Sequence, residues 1–334
     1  MIRRWLVRIL VALAVLVLAG GGYAAWRFGH PAMPADTQVL KPGTAAPGAL
    51  TVQYFGATTL VFSDGRNAVM VDALLTRPDM RTVMFGKVAS DPGKVDLALR
   101  RAALSRIDLL LVTHTHYDHV LDAAAVAQRT GATIVGSPST RQVALGGNIP
   151  AARIVTVHGG ERLSAGDFRV TVIRSLHSAG DRVPGDVTAP LRQPASAKDY
   201  KEGGTFAYLI EHKGFRILVH ASANVVSGMY REHGVHADVV FLSTGGLTLQ
   251  PPAFTQTYWR ETVAATGAKL VVPIHWDDFL LPLDQPLVPL RRFLDDIPLT
   301  MSRIAPLAAR DHVAVRYMPV FGPVDLVAAA RTGR

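Results

Sequence analysis

The sequence predicts a layered α/β domain, with helices packed outside β-sheets, that follows an apolar segment at the N-terminus. From residue 50 onward, short apolar runs alternate with segments of helical spacing, and there is no repeat of fixed period. Strand pairs joined by tight turns occur together with strand–helix–strand units, a mixture typical of α/β layers. Of the 334 residues, 49% are hydrophobic and 18% are charged, which excludes a disordered chain.

The N-terminal residues 1–28 have the layout of an export signal or a membrane anchor. Three arginines precede an apolar run over residues 9–18, and aromatic residues follow. A cleaved signal needs small residues at its processing site, and residues 22–24 (Gly-Tyr-Ala) fit this loosely. An uncleaved anchor needs about 17–25 apolar residues, which residues 9–28 reach. We favour the anchor, with the arginines in the cytoplasm and the remaining chain facing the periplasm.

Residues 29–49 contain four prolines and show no apolar periodicity, which is typical of a linker. The predicted organisation is therefore an anchor or signal over residues 1–28, a Pro-rich linker over 29–49 and a single folded domain over 50–334.

The first half of the domain contains strand and helix patterns in alternation. The predicted elements are a hairpin of strands 58–62 and 68–71 around Asp64-Gly65, a helix over 95–104, a buried strand over 107–112, a helix over 123–129 that ends at Gly131, and a strand over 133–135.

The second half continues the same pattern. Its predicted elements are a strand over 168–173, a hairpin of strands 206–210 and 215–219 around Lys213-Gly214, a strand over 239–242, a helix over 254–265 closed by Gly267, and a buried strand over 270–274. Residues 182–200 contain three prolines and mixed charge, so we expect a long loop there, and loops of this length are often functional.

Composition excludes several classes of site. The chain contains no cysteine, which excludes disulfides, thiolate metal sites and cysteine nucleophiles. The formal net charge is +9, from 35 Lys+Arg and 26 Asp+Glu. Four of the 35 basic residues, all of them arginines, lie in residues 1–28. Elsewhere basic residues form only short pairs such as Arg100-Arg101. Because a nucleic-acid-binding protein needs a clustered basic face, we expect no nucleic-acid partner.

Residues 113–119 (Thr-His-Thr-His-Tyr-Asp-His) follow the predicted strand 107–112 directly. Three of the 12 histidines of the chain fall within six residues here. On a strand, His114 and His116 point to the same face, and Asp118 and His119 can approach the same point once the chain turns. Neutral imidazoles with a carboxylate suit a borderline cation such as zinc. The pattern therefore predicts a metal site.

The motif of His114, His116, Asp118 and His119 resembles the HxHxDH signature of the metallo-β-lactamase superfamily. The resemblance covers about residues 50–322 and includes residues 56–59 (Gly-Ala-Thr-Thr), which are similar to the family's first hairpin. It implies a four-layer αβ/βα sandwich and a metal-dependent hydrolase. Asp72 matches the position that orients the metal-binding histidines through hydrogen bonds.

The resemblance implies two further histidine ligands, each at the end of a strand. His177 follows the predicted strand 168–173, whereas the competing His158 lies in a Gly-Gly turn without such a strand. His275 follows the predicted strand 270–274. Together the implied metal ligands are His114, His116, Asp118, His119, His177 and His275.

At one position the sequence departs from the family. The family places a metal-bridging aspartate where this chain has Ser222, whose hydroxyl stays protonated at neutral pH and is a poor ligand. Either the second metal is weak or absent, or Asp118, His119 and His275 hold it without a bridge. The latter arrangement is similar to the third subclass of true metallo-β-lactamases. His220 and Asp181 are possible substitutes for the bridging ligand.

The expected cofactor is Zn²⁺, with one ion firmly bound, a second possible, and Mn or Fe as alternatives. A zinc-activated hydroxide would attack the substrate, and Asp118 would orient it and take its proton. Residues 276–279 (Trp-Asp-Asp-Phe) resemble the branch that contains lactonases and N-acyl phosphatidylethanolamine phospholipase D. The resemblance thus implies a lactone, ester or phosphodiester, in a small-molecule or lipid-like substrate. Two rivals are a non-catalytic exported metal-binding module with a degenerate second site, and a nuclease.

Overall fold

A computed structural model describes residues 2–43 and 46–332 of the chain. Two β-sheets and the helices around them make up most of these residues. The remaining positions of the predicted segments (1, 44–45 and 333–334) lie outside the described residues. The helices are α1 (Ile2–Phe28), α2 (Met80–Phe85), α3 (Pro92–Arg101), α4 (Tyr117–Val120), α5 (Ala123–Thr130), α6 (Pro138–Gly146), α7 (Met229–Glu232), α8 (Pro252–Trp259), α9 (Ile297–Asp311) and α10 (Leu326–Thr332). The strands are β1 (Thr51–Tyr54), β2 (Leu60–Ser63), β3 (Ala68–Val71), β4 (Leu109–Leu111), β5 (Thr133–Gly136), β6 (Ile154–Thr156), β7 (Arg162–Ala165), β8 (Phe168–Ser175), β9 (Thr205–His212), β10 (Phe215–His220), β11 (Val239–Ser243), β12 (Leu270–Ile274), β13 (Ala314–Val315) and β14 (Val324–Asp325).

Each sheet has seven strands, in the orders β14-β1-β2-β3-β4-β5-β6 and β13-β12-β11-β10-β9-β8-β7. Strands β3 to β6 pair in parallel in the first sheet, and β10 to β13 do so in the second. The other neighbours pair antiparallel. Because the parallel strands of each sheet run in one direction, their carboxyl ends lie together along one side of the sheet. We call this side, where the strands end, the edge of the sheet.

The two sheets pack face to face, and helices cover their outer faces. Apolar side chains of both sheets form the central core, where the rings of Phe62 and Phe241 lie 5.4 Å apart between centroids. Buried residues of α3, α5 and α6 pack on the outside of the first sheet, and those of α7, α8 and α9 on the outside of the second. The predicted four-layer αβ/βα sandwich is confirmed.

The predicted strands and helices occur close to their expected bounds, and the differences have local causes. The helix expected from residue 95 begins at Pro92, because the Asp91 side chain caps it by accepting from the backbone N–H groups of Gly93 and Lys94. The hairpin strand expected from residue 58 begins at Leu60. The helix expected over 254–265 is α8 followed by a π-helical turn over Arg260–Ala264.

Helix α1 extends away from the sandwich, and nearly all of its side chains are exposed. Its segment Arg3–Phe28 contains an 18-residue stretch with a mean hydropathy of 2.2 and is long and apolar enough to cross a membrane. The segment that follows α1, predicted as a linker, lies in part against the domain. Leu40 is buried, and its N–H donates to the Tyr317 carbonyl at 2.8 Å.

Candidate metal centre

Three histidines form the first group of candidate ligands at the edge where the parallel strands end. His114 and His116 follow β4, and His177 comes two residues after β8. One nitrogen of each ring lies within 4.8 Å of a nitrogen of both others. The His177 ring centroid is 4.7 Å from that of His114 and 4.6 Å from that of His116. The structure therefore brings together the three histidines that the sequence suggested for one metal ion.

Asp118, His119 and His275 form a second group beside the first. Their candidate ligand atoms also lie within 4.8 Å of one another. The Asp118 Oδ2 atom is 3.3 Å from His275 Nε2 and 3.6 Å from His119 Nε2. The two groups are adjacent, since the ring centroids of His114 and His119 are 3.7 Å apart. The six side chains therefore form two adjacent sets of donors, with no carboxylate common to both.

One nitrogen in the first group has no hydrogen-bond partner among the described residues. The His114 side chain is buried, and its Nε2 atom is unpaired. A buried polar atom without a partner costs about 1–3 kcal/mol, so such an atom calls for a ligand. Because this nitrogen belongs to the group with His116 and His177, the donor set fits a divalent metal ion.

The position of Asp72 in the sequence suggested that it orients a metal-binding histidine, and in the structure its carboxylate contacts the Nδ1 atom of His119. Its Oδ2 atom lies 2.8 Å from His119 Nδ1. The same carboxylate accepts hydrogen bonds from the hydroxyls of Thr58 and Thr113, each at 2.7 Å. Since Asp72 is fully buried and engages Nδ1, the His119 Nε2 atom is left to face Asp118.

Asp181 lies beside the first group, at the start of the long loop 182–200. Its carboxylate is 3.4 Å from His116 Nε2 and 3.9 Å from His177 Nδ1. The Val183 carbonyl oxygen is 3.2 Å from the same His116 nitrogen. Asp181 and the start of the loop thus lie against two candidate ligands. Asp181 itself belongs to neither group of candidate ligands.

His220 does not serve as a substitute ligand. Its Nδ1 atom is hydrogen-bonded with the Tyr230 hydroxyl, and its Nε2 atom lies 2.6 Å from the Asn224 carbonyl oxygen. Burial lowers the pKa of His220 to about 4. Both ring nitrogens are engaged within the fold, so this histidine supports the turn that follows β10.

Ser222 lies two residues beyond β10 and is buried, and its hydroxyl has no hydrogen-bond partner in the part of the chain that the structure describes. Among the described residues of the two groups at this edge of the sandwich, Asp118 is the one carboxylate. The departure seen in the sequence is therefore not compensated by another acidic side chain within these groups.

Burial and neighbouring charges set the protonation of the centre. Burial, with the charges of the other histidines, holds the pKa of His114 well below its usual value, and burial lowers that of His177 to about 4. Burial alone would raise the pKa of Asp118, but the positive charge of His119 and the hydrogen bond from His275 lower it below its usual value. At neutral pH, His114 and His177 therefore present neutral imidazoles and Asp118 an ionised carboxylate, the forms that bind a divalent cation. Burial alone would lower the pKa of His119, but the negative charges of Asp72 and Asp118 raise it above its usual value.

A buried ion pair that the sequence did not reveal holds the His275 turn. Asp277 Oδ2 accepts from Arg77 Nη2 at 2.7 Å, and both side chains are fully buried. Asp277 Oδ1 also accepts from the Ala57 N–H, and the His275 N–H donates to the Ala57 carbonyl, both at 2.7 Å. Gly56 is required beside this pair, because a Cβ there would lie 1.8 Å from Arg77 Nη2. The feature of the sequence that could have indicated this ion pair is Asp277, an acidic residue shortly after a buried strand.

Comparison with known proteins agrees with this geometry. A family model described as "Beta-lactamase superfamily domain" matches residues 67–276, most of the chain. The chain belongs to the metallo-β-lactamase superfamily. A UPF0173 metal-dependent hydrolase of Anaeromyxobacter sp. is 28% identical over 243 residues, 70% of this chain and 77% of the relative. Another, of Cupriavidus taiwanensis, is 27% identical over 80% of this chain and 87% of the relative.

Solved structures share the fold at low sequence identity. A possible metal-dependent hydrolase of Veillonella parvula matches 84% of this chain and 100% of its own, with a TM-score of 0.50 and 16% identity. The diiron β-hydroxylase CmlA of Streptomyces venezuelae matches 84% of this chain and 54% of its own, with a TM-score of 0.52 and 18% identity. The family match and the relatives named as metal-dependent hydrolases together show that the chain is a metal-dependent hydrolase of the metallo-β-lactamase fold.

Proposed function

We propose that this protein hydrolyses a lactone, ester or phosphodiester at a zinc centre. In this proposal His114, His116 and His177 hold the first ion, and Asp118, His119 and His275 can hold a second. The observation that carries the proposal is the convergence of these six side chains in two adjacent groups, with the unpaired Nε2 atom of His114 in the first.

The reaction needs an attacking water, a proton acceptor and stabilisation of the developing oxyanion. A divalent ion bound at this centre would act as a Lewis acid and lower the pKa of a water to about 7. The ionised Asp118 orients the attacking water and accepts its proton through Oδ2. The new C–O or P–O bond forms as the bond to the leaving group breaks, and Asp118 returns the proton to the leaving oxygen. Asp72 holds His119 in the required orientation.

Zinc is the proposed metal because five imidazoles and one carboxylate form a nitrogen-rich donor set. The same donors also bind iron and manganese, and one structural relative is described as a diiron enzyme. Metal-stripped protein reconstituted with each ion separately identifies the metal, by elemental analysis and by turnover of a panel of lactones, esters and phosphodiesters. We expect zinc to bind and to restore turnover of one substrate class. Zinc binding without turnover of any panel member would contradict the proposed activity.

Ser222, at the position where the family places a metal-bridging aspartate, favours one alternative function. If Ser222 leaves the second group without metal, the protein could be an exported metal-binding module without catalytic activity. The panel separates the two functions, because the alternative predicts bound metal and no turnover.

Replacing Ser222 with Asp should tighten the second metal site. A site with fewer anionic donors binds its cation more weakly, so we expect dialysed wild-type protein to keep the first ion and lose the second. A carboxylate at position 222 could reach both ions, and Ser222→Asp should then retain two equivalents. Titration of the metal-free protein by calorimetry measures both affinities.

A matched variant separates charge from size at this position. Ser222→Asn has nearly the same volume as Ser222→Asp but carries no charge, so it should not tighten the second site. Two equally tight sites in the wild type, or no change in Ser222→Asp, would contradict this interpretation.

We also propose that α1 anchors the protein in the inner membrane, with the domain facing the periplasm. The full chain should stay in the membrane fraction after high-salt and alkaline washes and be released by detergent. Arginine near the centre of a spanning helix costs about 2.5–3.5 kcal/mol, so the double variant Leu13→Arg/Leu16→Arg should weaken retention. A soluble mature protein that begins near Trp26 would show instead that the segment is a cleaved signal.

A further inference from the structure

Helix α1 ends in direct contact with the segment that precedes α9. The Phe293 N–H donates to the Arg27 carbonyl at 3.0 Å, and the rings of Phe28 and Phe293 lie 4.9 Å apart. The Arg292 guanidinium is 5.3 Å from the centroid of the Trp26 ring. These contacts fix where the helix leaves the domain.

A buried carboxylate connects this junction to the metal centre. Asp278 Oδ2 lies 2.7 Å from His30 Nε2 and accepts from Arg291 Nε at 2.9 Å. Arg291 also donates to the Phe28 carbonyl at 3.4 Å. Asp278 is three residues beyond the candidate ligand His275. The helix therefore leaves the domain at the edge that carries the candidate metal ligands.

The opposite edge of the second sheet is remote from this junction. It carries the β9–β10 turn at Lys213, from which β10 runs toward Ser222. At about 3.3 Å per residue, the six residues of β10 separate the two edges by about 20 Å. A bilayer around α1 would therefore lie beside the metal-bearing edge and away from Lys213.

The loop 279–290 begins and ends at the same junction and has an apolar composition. Seven of its 12 residues are Leu, Val or Phe, three are Pro, and Asp284 is its one charged residue. The side chains of Leu281, Leu283 and Leu287 are partly exposed, and those of Leu283 and Leu287 also pack against the core. The exposed tip of the loop is 284–286 (Asp-Gln-Pro). The arginine pair 291–292 follows directly. Both arginines are engaged within the domain, Arg291 with Asp278 and Arg292 with Asp296, so the partly exposed apolar side chains beside α1 are the feature typical of a segment that lies at a lipid surface.

We propose that the loop 279–290 lies on the bilayer that α1 spans, so that the metal-bearing edge faces the phospholipid headgroups. The inference rests on the proposed anchor. It also deepens the proposed function, because a site at this position takes amphiphilic substrates from the adjacent leaflet, with the scissile bond at headgroup depth. The partner is the phospholipid surface itself.

Single-cysteine spin labels test this arrangement in the full chain, which has no cysteine of its own. The variants are Val15→Cys in α1, Gln285→Cys in the loop and Lys213→Cys at the far edge, all at exposed positions. The labelled proteins are reconstituted in vesicles of phosphatidylcholine and phosphatidylglycerol. Collision rates of each nitroxide with oxygen, which concentrates in lipid, and with a water-soluble nickel chelate then report its depth.

We expect the label at position 15 to be in the hydrocarbon, the label at 285 at headgroup depth with restricted access to nickel, and the label at 213 in water. Equal nickel access at 285 and 213, with 15 in the hydrocarbon, would overturn this inference and leave the anchor intact. Nickel access at 15 would overturn both. Because no reading depends on turnover, failure of the proposed hydrolysis is detected separately by the substrate panel.

Discussion

Replacing Asp118 with Asn should lower kcat by about 10²- to 10⁴-fold, the range typical of a lost general base. Asn keeps the shape of the side chain but cannot accept the proton of the attacking water. The fold and the first metal ion should be retained, because the first group of ligands does not include Asp118. Steady-state kinetics on the metal-reconstituted variant, with metal content determined on the same sample, measure the effect.

Asp167→Asn is the matched control for this variant. It removes a carboxylate of the same size from an exposed position in the turn between β7 and β8, at the end of the second sheet remote from the metal centre. We expect it to leave kcat near the wild-type value. Near-normal turnover by Asp118→Asn would contradict the role assigned to this residue.

Replacing His177 with Ala should abolish tight binding of the first ion and, with it, turnover. Loss of a residue that only orients a ligand typically weakens metal binding by about 10- to 100-fold, and loss of a ligand itself should exceed that. His177 is half-buried at the end of β8, so its removal should disturb the core little. Competition with a chromogenic chelator measures the affinity.

His158→Ala provides the control for His177→Ala, since His158 is the other histidine in this part of the sequence. His158 is exposed in the turn before β7, and its backbone N–H, which the variant keeps, donates to the Glu161 carboxylate. Metal affinity should be unchanged in this variant. The ligand set would be wrong if the two variants lost metal equally.

The family resemblance and the local patterns together indicated the candidate ligands, because each of these residues follows a recognisable strand. The HxHxDH motif comes directly after β4, and His177 could be preferred over His158 because β8 leads into it. The carboxyl ends of strands in two sheets meet at one edge of the sandwich, which explains why a motif and two distant histidines converge. The four-layer fold itself was implied by resemblance.

The supporting interactions could not be predicted, because they join residues far apart in the sequence. Arg77 and Asp277 are 200 residues apart, and His30 and Asp278 are 248 apart. No periodicity of either segment indicates its partner. Similarly, the short edge strands β13 and β14, of two residues each, are determined by the neighbouring strand and have no pattern of their own.

Crystals of the zinc-reconstituted protein, grown after exhaustive dialysis, test the metal centre most directly by anomalous scattering at the zinc edge. The strongest peak should lie about 2.0–2.2 Å from one ring nitrogen of each of His114, His116 and His177. A weaker peak, or none, should lie among Asp118, His119 and His275. A zinc peak confined to the second group, or the absence of zinc from both groups, would contradict the proposed centre.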